Sequence, residues 1–469
     1  MGPTPPEDYD RWLSALSADE IERLFRERGC DRVLTKQLAA RQDNDKNQVY
    51  AANDLAAIAA IPSGETAASA TQSRKNHKQG ETKFTSPVNW NWLSPTGESP
   101  APGAKLIYYP QYPEVRISGL LQGSPNPPRS LYARALRGQE AGRLLLVGTK
   151  AEASDSSLPS PVWALLLPPE SVAAPRILDA TSSDQVGAFH VWQLGHKSPS
   201  STKDSLIHTL QEIAGRGWVA GQKLNRGGIQ PYNAQNGGGY TLEALCGVAA
   251  NGAAEPDFLG WELKAHGRSG RALTLFTPSP TLGSIKTLPP LDFMRMYGRP
   301  RGDDVMIARR WDFTGRHTTL STTSSTGLRL ALMGWDGKKQ VDPDGGVHLM
   351  NSSGECAAGW TFARLIDHWK RKHARTAYVP YEAREMNGTR YYRYTGEVLL
   401  CTGTDFFKLL HGYSSGSVYY DPGLKLELRD TPNGPTWRPK TRHQFRVGFR
   451  NLPRLYDLSE TVTIGPVGP

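Results

Sequence analysis

Apolar and charged residues alternate along the stretch FLGWELK, and this alternation constrains the fold more than any other feature. Successive side chains of a β-strand point to opposite faces of the sheet, so Leu259, Trp261 and Leu263 share one apolar face. Glu262 and Lys264 share the other face, about 6.5 Å apart along the strand. The stretch therefore predicts a strand that packs on a core with one side and carries a charged pair on the other.

The composition of the chain favours a mixed architecture around such strands. The 469 residues predict two to three domains, and 47 Gly with 35 Pro predict many turns and loops. Amphipathic helical segments and short apolar strand segments occur between these turns. We therefore expect the α/β (α+β) class with long connections, rather than a helical bundle. A polar, proline-containing stretch at residues 195–205 predicts a boundary, which makes residues 1–195 an N-terminal unit.

The net charge points to a polyanionic partner. The formal charge is +10 and the isoelectric point is about 9.3, which fits nucleic acid above other partners. A basic surface that serves only solubility is the alternative, and net charge alone does not separate the two.

Cysteine usage and hydropathy predict a cytoplasmic protein with no membrane partner. The four cysteines are scattered and form no CxxC pair, which argues against a zinc ribbon and a disulfide scaffold. The N-terminus has no secretory signal pattern, and no apolar run approaches the roughly 18 residues that span a bilayer.

Further acids lie close to the charged pair in sequence. Asp257 follows a Glu-Pro dipeptide, where a turn could fold its carboxylate back beside Glu262. Glu243 lies fourteen residues before Asp257, at the start of a predicted helix. Magnesium prefers oxygen ligands and usually takes one or two carboxylates. A neighbouring lysine such as Lys264 can orient the attacking water or stabilise charge on the phosphate. These residues suffice for metal-dependent phosphodiester hydrolysis.

The same residues have a simpler interpretation. Charged residues alternate on many half-exposed strands, so a D-x4-E-x-K pattern occurs by chance in most proteins of this size. From the pattern alone, a charged strand edge remains the alternative.

The segment PYNAQNGGGYTLEALCGVAANGAAEPDFLGWELK resembles the catalytic region of the MvaI/BcnI restriction endonucleases. These enzymes belong to the PD-(D/E)XK nuclease superfamily and are related to the mismatch-repair nickase MutH. The segments TLFTPSPT, DHWKRKHARTAYVP and GSVYYDPGLKLELR extend the resemblance over about residues 200–455. The segment KQLAARQDNDKNQVY also resembles a part of longer members of this group.

The resemblance implies a three-part organisation. Residues 200–345 would form the MutH-like nuclease lobe, a PD-(D/E)XK core with a mixed central sheet flanked by helices. Residues 346–469 would form a DNA-recognition lobe. Residues 1–195 would be an additional mixed domain that recognises or clamps DNA.

The resemblance also assigns roles to the acids and the lysine. Asp257 and Glu262 would hold Mg²⁺, with the backbone carbonyl of Leu263 as a further ligand. Lys264 would position the attacking water, and Glu243 would be an additional active-site acid. Whether one or two ions take part stays open.

The resemblance implies that the base-contacting residues lie late in the chain, on a lobe that faces the catalytic one. Arginine pairs with guanine and glutamate accepts from cytosine N4, so Glu427, Arg429, His443 and Arg450 are the candidates. A solvated basic strand is an equally good interpretation, because most protein–DNA contacts only bind phosphate.

A basic run on a predicted helix is a candidate for phosphate binding. It contains Arg371, Lys372, His373 and Arg375. The two nearby histidines, His368 and His373, are five residues apart, which does not match a zinc pair at i, i+4.

These features predict a type II restriction endonuclease that cuts duplex DNA at a short, C/G-rich site with Mg²⁺. The resemblance implies a prokaryotic phage-defence enzyme that acts as a monomer, with a cognate DNA methyltransferase as its genetic partner. A MutH-like strand-nicking repair endonuclease is one alternative. A sequence-specific DNA-binding protein without cleavage is another.

Overall fold

The computed structural model describes residues 7–39, 48–55, 58–71, 80–131, 142–150, 159–181, 184–195, 201–225, 227–249, 258–267, 272–302 and 308–465. The helices that these residues form are α1 (Glu7–Ala15), α2 (Ala18–Glu27), α3 (Ala174–Asp179), α4 (Thr202–Gly215), α5 (Gly237–Leu245), α6 (Ser284–Thr287), α7 (Pro290–Tyr297), α8 (Phe362–Lys372) and α9 (Phe406–Ser414). Short 3-10 segments occur at Arg129–Leu131 and Phe449–Leu455.

The strands of the N-terminal unit are β1 (Arg32–Leu38), β2 (Val49–Ala52), β3 (Ala67–Ala70), β4 (Thr82–Pro87), β5 (Trp90–Ser94), β6 (Gly97–Ala101), β7 (Lys105–Tyr109), β8 (Glu114–Ser118), β9 (Arg143–Thr149), β10 (Val162–Leu167), β11 (Gln185–Val186) and β12 (Phe189–Gln193).

The strands that follow are β13 (Val219–Ala220), β14 (Gln222–Asn225), β15 (Gly228–Pro231), β16 (Glu262–Gly267), β17 (Ala272–Phe276), β18 (Arg299–Pro300), β19 (Arg310–Thr314), β20 (Arg329–Trp335), β21 (Val341–Met350), β22 (Cys356–Thr361), β23 (Arg375–Met386), β24 (Thr389–Tyr394), β25 (Gly396–Thr402), β26 (Val418–Tyr420), β27 (Gly423–Arg429), β28 (Thr436–Lys440), β29 (Phe445–Gly448) and β30 (Leu458–Ile464).

Two sheets build the N-terminal unit. One has the order β11-β12-β1-β9-β10-β5-β6 and the other the order β2-β8-β7-β4-β3. The strand β9 is buried at every position, since Leu144 and Leu146 face the α1–α3 side while Leu145 and Val147 face a second core. A strand covered on both faces explains why this segment is a continuous apolar run.

A mixed sheet with the order β13-β24-β23-β25-β30 forms the centre of the rest of the chain, and β16 pairs in parallel with β23. Leu206 of α4 and Leu242 of α5 pack on one face of this sheet with Leu263. Trp369 of α8 belongs to the hydrophobic cluster on the opposite face, which includes Tyr378. The mixed central sheet flanked by helices is thus the architecture that the sequence predicted.

Three smaller sheets form what we call the second lobe. Their orders are β17-β29-β26, β18-β19-β27-β28 and β20-β21-β22. Both this lobe and the central sheet take strands from each side of residue 345: β16 pairs with β23, and β19 pairs with β27. The predicted boundary at residues 345 and 346 therefore does not separate two folded bodies. Strand pairing across more than 100 residues decides this organisation, and local sequence patterns do not contain that information.

One hydrophobic cluster continues from the N-terminal unit into the rest of the molecule. Phe84 of β4 and Phe406 of α9 belong to it, with ring centroids 6.4 Å apart. Phe406 also contacts Phe362 at the start of α8, and its backbone N–H donates to Asp54 at 3.1 Å. The N-terminal unit is therefore packed against the remainder through buried apolar and polar contacts.

The structure gives the state of the cysteines and the character of the helices. All four cysteines are free thiols. Among the described residues, no helix has the length and the apolar character that crossing a bilayer requires.

The shared cluster predicts cooperative unfolding. We expect one calorimetric transition for the wild type, because separating the N-terminal unit would expose the ring of Phe406. Phe406→Ala should lower the free energy of unfolding by about 3–5 kcal/mol, the usual cost of a buried Phe→Ala change. Val172→Ala is the control, since this residue is 70% exposed and the change should cost within about 0.5 kcal/mol. Two separate transitions, with only one affected by Phe406→Ala, would contradict the shared core.

Candidate active site

A two-residue turn sets the beginning of β16. Phe258 and Trp261 exchange both backbone hydrogen bonds, at 2.9 and 2.8 Å, around Leu259 and Gly260. Both central residues have positive φ, 49° and 84°, as a type I′ turn requires. Asp257, which precedes this turn, lies outside the described residues, so its predicted role as a metal ligand stays a prediction.

The strand β16 has the two faces that the alternation predicted, but Leu259 is not on the apolar face. It lies in the turn before the strand and is 39% exposed, because the chain reverses direction there. Leu263 is buried in the cluster that α4 and α5 cover, opposite Ala377 of β23. Glu262 and Lys264 point to the other face, opposite Thr376 and Tyr378. The parallel pairing with β23 therefore brings the residues that precede β23 close to Glu262.

Glu262 is the centre of the site. Its side chain is only 4% exposed, and its Oε1 accepts from Lys264 Nζ at 3.0 Å and from Lys372 Nζ at 3.2 Å. Lys372 reaches it from the last turn of α8. The second oxygen, Oε2, is buried and has no hydrogen-bond partner within the described residues. Burial of a carboxylate oxygen without a partner is costly, so Oε2 is suited to accept a ligand.

Glu243 completes a group that we call the acid–lysine cluster: Glu243, Glu262, Lys264 and Lys372. Burial raises the pKa of Glu243, and the negative charge of Glu262 raises it further. The positive charges of Lys372 and Lys264 oppose this shift. The four side chains are therefore close enough to act on one another, and the two lysines balance the two acids.

Two glycines allow α5 to bring Glu243 to this position. A Cβ on Gly238 would lie 2.6 Å from the Tyr381 ring, and one on Gly237 would lie 2.5 Å from Tyr392 Oη. Only glycine permits such a close approach of a helix to β23 and β24. The NGGGY stretch thus begins a helix and packs on tyrosines, which accounts for its glycines.

The donor set of the cluster fits a hard divalent cation. Glu262 Oε2 is a buried carboxylate oxygen without a partner among the described residues, which suits it to be one oxygen ligand. The described part of the chain holds no group of three or more His, Cys, Asp or Glu side chains at one metal position, so the protein itself would supply only one or two ligands. Magnesium usually takes one or two carboxylates and completes its octahedron with water and phosphate oxygens. The contribution of the Leu263 carbonyl stays a prediction.

The predicted phosphate-binding residues lie in different environments of the structure. Lys372 lies in the acid–lysine cluster, a position that the sequence did not reveal. Arg371 belongs to α8, but its side chain is outside what the structure describes. The local pattern could not show the position of Lys372, because it results from pairing between β16 and β23, more than 100 residues apart.

His373 and Arg375 do not fit phosphate binding. His373 is fully buried, stacks on Trp369 at 4.1 Å, and its Nδ1 lies 2.8 Å from Tyr456 Oη. Burial and the charges of nearby lysines hold its pKa well below the usual range, so the ring is neutral. Arg375 is half-buried, and its guanidinium donates to Thr202 Oγ1 at 3.1 Å and to the carbonyl of Gln185. Both predictions are corrected, because His373 is enclosed and the guanidinium of Arg375 is bonded to acceptors of the protein itself.

The candidates for base reading also differ in their exposure: His443 is buried, whereas Arg429 and Arg450 are exposed. His443 is buried, its Nδ1 lies 2.8 Å from Tyr420 Oη, and burial lowers its pKa to about 4. A neutral, buried histidine cannot reach a base edge, so its prediction is corrected. Glu427 and Arg429 lie on β27 and are bonded to each other at 3.0 Å. Arg450 is exposed in the 3-10 segment after β29.

One face of the sheet β18-β19-β27-β28 is basic, and the sequence prediction found only part of it. The cross-strand register aligns its polar side chains in rows, while the opposite face is apolar. We call this surface the basic face, and its residues are Arg310, Asp312, Lys425, Glu427, Arg429, Arg438 and Lys440. The alternation in RWD, KLELR and WRPK is the sequence signal that could have identified the whole face.

The raised pKa of Glu243 predicts a pH-dependent stability. The unfolded chain loses the Glu243 proton near the ordinary glutamate pKa of 4.5, while burial lets the folded protein hold it to a higher pH. This group therefore lowers the free energy of unfolding as pH rises through that interval. Glu243→Gln removes this loss of stability, so the stability of the variant relative to the wild type should increase as pH rises above about 4.5.

Urea unfolding of both proteins across this pH range measures the difference. Glu170→Gln removes an exposed carboxyl of the N-terminal unit and controls for the loss of one charge. A difference between Glu243→Gln and the wild type that does not change with pH would contradict the burial of Glu243.

The comparisons with known proteins cover the region that carries this site. The model of the MvaI/BcnI restriction endonuclease family matches residues 207–456, more than half of the chain. A complex of the restriction endonuclease MvaI with cognate DNA is 18% identical and covers 56% of this chain and 99% of its own, with a TM-score of 0.42. The structure of MvaI in the absence of DNA is 20% identical and covers 57% of this chain and 100% of its own, with a TM-score of 0.32. The search of curated proteins finds no match. The family match establishes that the chain belongs to the MvaI/BcnI restriction endonuclease family and is a site-specific DNA endonuclease.

Proposed function

We propose that this restriction endonuclease is a type II enzyme that hydrolyses duplex DNA at a short, C/G-rich site with Mg²⁺. The observation that carries the proposal is the state of Glu262, whose Oε1 is held by two lysines while its buried Oε2 has no partner within the described residues. A carboxylate with one hydrogen-bonded oxygen and one oxygen without a partner is suited to bind a metal beside a phosphate.

Each member of the acid–lysine cluster has a role in this proposal. Glu262 and Asp257 would hold Mg²⁺, and the ion would supply an activated water and charge neutralisation at the phosphate. Lys264, on the same strand face as Glu262, orients the attacking water. Lys372 donates to the phosphate oxygen on which negative charge develops. Glu243 is the additional acid, and its carboxyl restrains the two ammonium groups electrostatically.

The basic face is the surface that we propose for DNA recognition. Arg429 is 67% exposed and can donate to O6 and N7 of guanine, while Glu427 can accept from N4 of cytosine. Arg438 and Lys440 are exposed on the edge strand β28 and would bind phosphates. A guanine donor next to a cytosine acceptor is what favours a C/G-rich site. Arg450 remains a further candidate for base reading.

The remaining parts of the proposal concern assembly. Residues 1–206 precede the family match, and we propose that the unit 1–195 adds DNA recognition or clamping. The described residues of one chain contain one acid–lysine cluster, so a monomer would cut one strand at a time. Such an enzyme needs a cognate DNA methyltransferase to protect the host genome. Accumulation of nicked circles would instead favour a strand-nicking activity.

The catalytic roles predict a loss of rate without a loss of binding. Asp257→Ala and Lys264→Ala should each reduce the single-turnover cleavage rate by about 10²–10⁴-fold with Mg²⁺, because the first removes a proposed metal ligand and the second removes the group that orients the attacking water. The affinity for cognate duplex, measured with Ca²⁺ in place of Mg²⁺, should stay close to that of the wild type. Lys338→Ala, which removes an exposed lysine, is the control.

Plasmid cleavage gives the second readout. Discrete linear fragments from the wild type support restriction, and open circles that persist support nicking. Unchanged cleavage by Asp257→Ala and Lys264→Ala would refute the proposed roles.

The basic face predicts a specific dependence on salt. Arg438→Ala and Lys440→Ala should each reduce the slope of log affinity against log salt by about 1, because each removes one phosphate contact. Arg429→Ala should instead relax the preference at one base pair by about 1–3 kcal/mol. Filter binding to cognate and single-substituted duplexes at several salt concentrations measures both effects. Equal effects of all three variants on every duplex would show that Arg429 does not read a base.

A further inference from the structure

The helix α8 lies between the acid–lysine cluster and the N-terminal unit. Lys372 points from its last turn to Glu262. Lys370 precedes it by two residues, which corresponds to about 200° around a helix, so it points to the opposite side. There it contacts the N-terminal unit. A single turn of helix therefore carries one lysine into the candidate active site and another into a different part of the molecule.

Lys370 is buried among acceptors of the N-terminal unit. Its Nζ lies 3.1 Å from Ser63 Oγ, 3.2 Å from the Gly64 carbonyl, 3.0 Å from Thr66 Oγ1 and 3.1 Å from Ser86 Oγ. The side chain is 4% exposed. Several acceptors from two adjacent segments thus define the position of this ammonium group.

Asp367 provides the counter-charge on the same helix. Its Oδ1 lies 2.9 Å from Lys370 Nζ, and it accepts from the Thr66 hydroxyl at 2.6 Å and from the Thr66 N–H at 2.9 Å. Burial tends to raise the pKa of Asp367, but the charge of Lys370 and the Thr66 hydrogen bonds outweigh this and lower it. A buried ion pair of this kind is strongly destabilised when its partners are removed. The N-terminal unit is therefore required to keep this pair satisfied.

Arg375 fixes the other side of Lys372. It is the first residue of β23, and its guanidinium contacts Asp184 at 3.9 Å and the carbonyl of Gln185. Both acceptors belong to the N-terminal unit. The stretch from Asp367 to Arg375 is thus held by that unit before and after Lys372.

We propose that the N-terminal unit positions Lys372 for catalysis, and that Thr66, Ser86 and Asp184 are positioning residues of the endonuclease. The proposal rests on the catalytic role of Lys372 given above, and it assigns a function to residues that precede the family match at 207–456. The physical reason is geometric, because a shift of about 1 Å in a catalytic group can cost about 10²-fold in rate. The N-terminal unit is then part of the catalytic apparatus and not only an added binding domain.

Ser86→Ala tests the proposal in the full-length protein. It removes one acceptor of Lys370 and a hydroxyl that lies 2.9 Å from Thr66 Oγ1. We expect the single-turnover cleavage rate to fall about tenfold with Mg²⁺ and the DNA affinity to stay unchanged. The matched control is Ser99→Ala, because Ser99 is equally buried in the same unit and its hydroxyl lies 2.9 Å from Ser124 Oγ. The control should cleave like the wild type.

A double-mutant cycle with Lys372→Met separates positioning from a general structural defect. If Ser86 acts through Lys372, Ser86→Ala should have no further effect on the residual rate of Lys372→Met. An equal loss in both backgrounds, or no loss in either, would overturn the proposal. A wild type that does not cleave duplex DNA with Mg²⁺ would instead refute the proposed function.

Thr66 supplies a second pair of variants if Ser86→Ala does not fold. Thr66→Ser keeps the hydroxyl that contacts Asp367 and Lys370, whereas Thr66→Val removes it. Thermal unfolding followed by circular dichroism verifies that both variants are folded. We expect Thr66→Ser to retain the cleavage rate and Thr66→Val to lose about tenfold. Equal rates for the two variants would contradict the positioning role.

Discussion

The contact of two lysines with a single oxygen of Glu262 is the interaction on which the site depends. The lysines come from different elements, β16 and α8, and the carboxylate joins them. A buried carboxylate needs such partners, because an isolated charge in this environment is strongly unfavourable. The second oxygen has no hydrogen-bond partner among the described residues, so the same contacts that stabilise the buried charge also leave one acceptor unused.

The fold supplies this contact through one parallel strand pair. Because Glu262 of β16 lies opposite Thr376 of β23, the end of α8 is brought to the charged face of the sheet. The glycines at the start of α5 permit its close packing on Tyr381 and Tyr392, which brings Glu243 to the same place. The helix α8, far along the chain, thus converges with α5 and β16 on one site.

Sequence reasoning predicted the parts of the site that depend on local periodicity. Strand alternation was sufficient to place Glu262 and Lys264 on one face, and the family resemblance identified Glu243. The basic run of α8 predicts phosphate binding for Lys372. Its place beside Glu262 is not predicted, because it depends on the pairing of β16 with β23, which no local pattern records. His373 and His443 were assigned to DNA for their residue type, but both are neutral and buried among aromatic rings. Burial of a polar residue is a tertiary property, and composition does not predict it.

The connectivity of the chain has a consequence for how such an enzyme can evolve. The chain passes several times between the central sheet and the second lobe, so neither can be exchanged by replacing one continuous gene segment. The N-terminal unit is different, since it is one continuous segment that a single recombination event can add or remove. The buried hydroxyls around Lys370 would then have arisen by later point substitutions. A chimera that joins a foreign unit at this junction should need those hydroxyls to be rebuilt before it regains full activity.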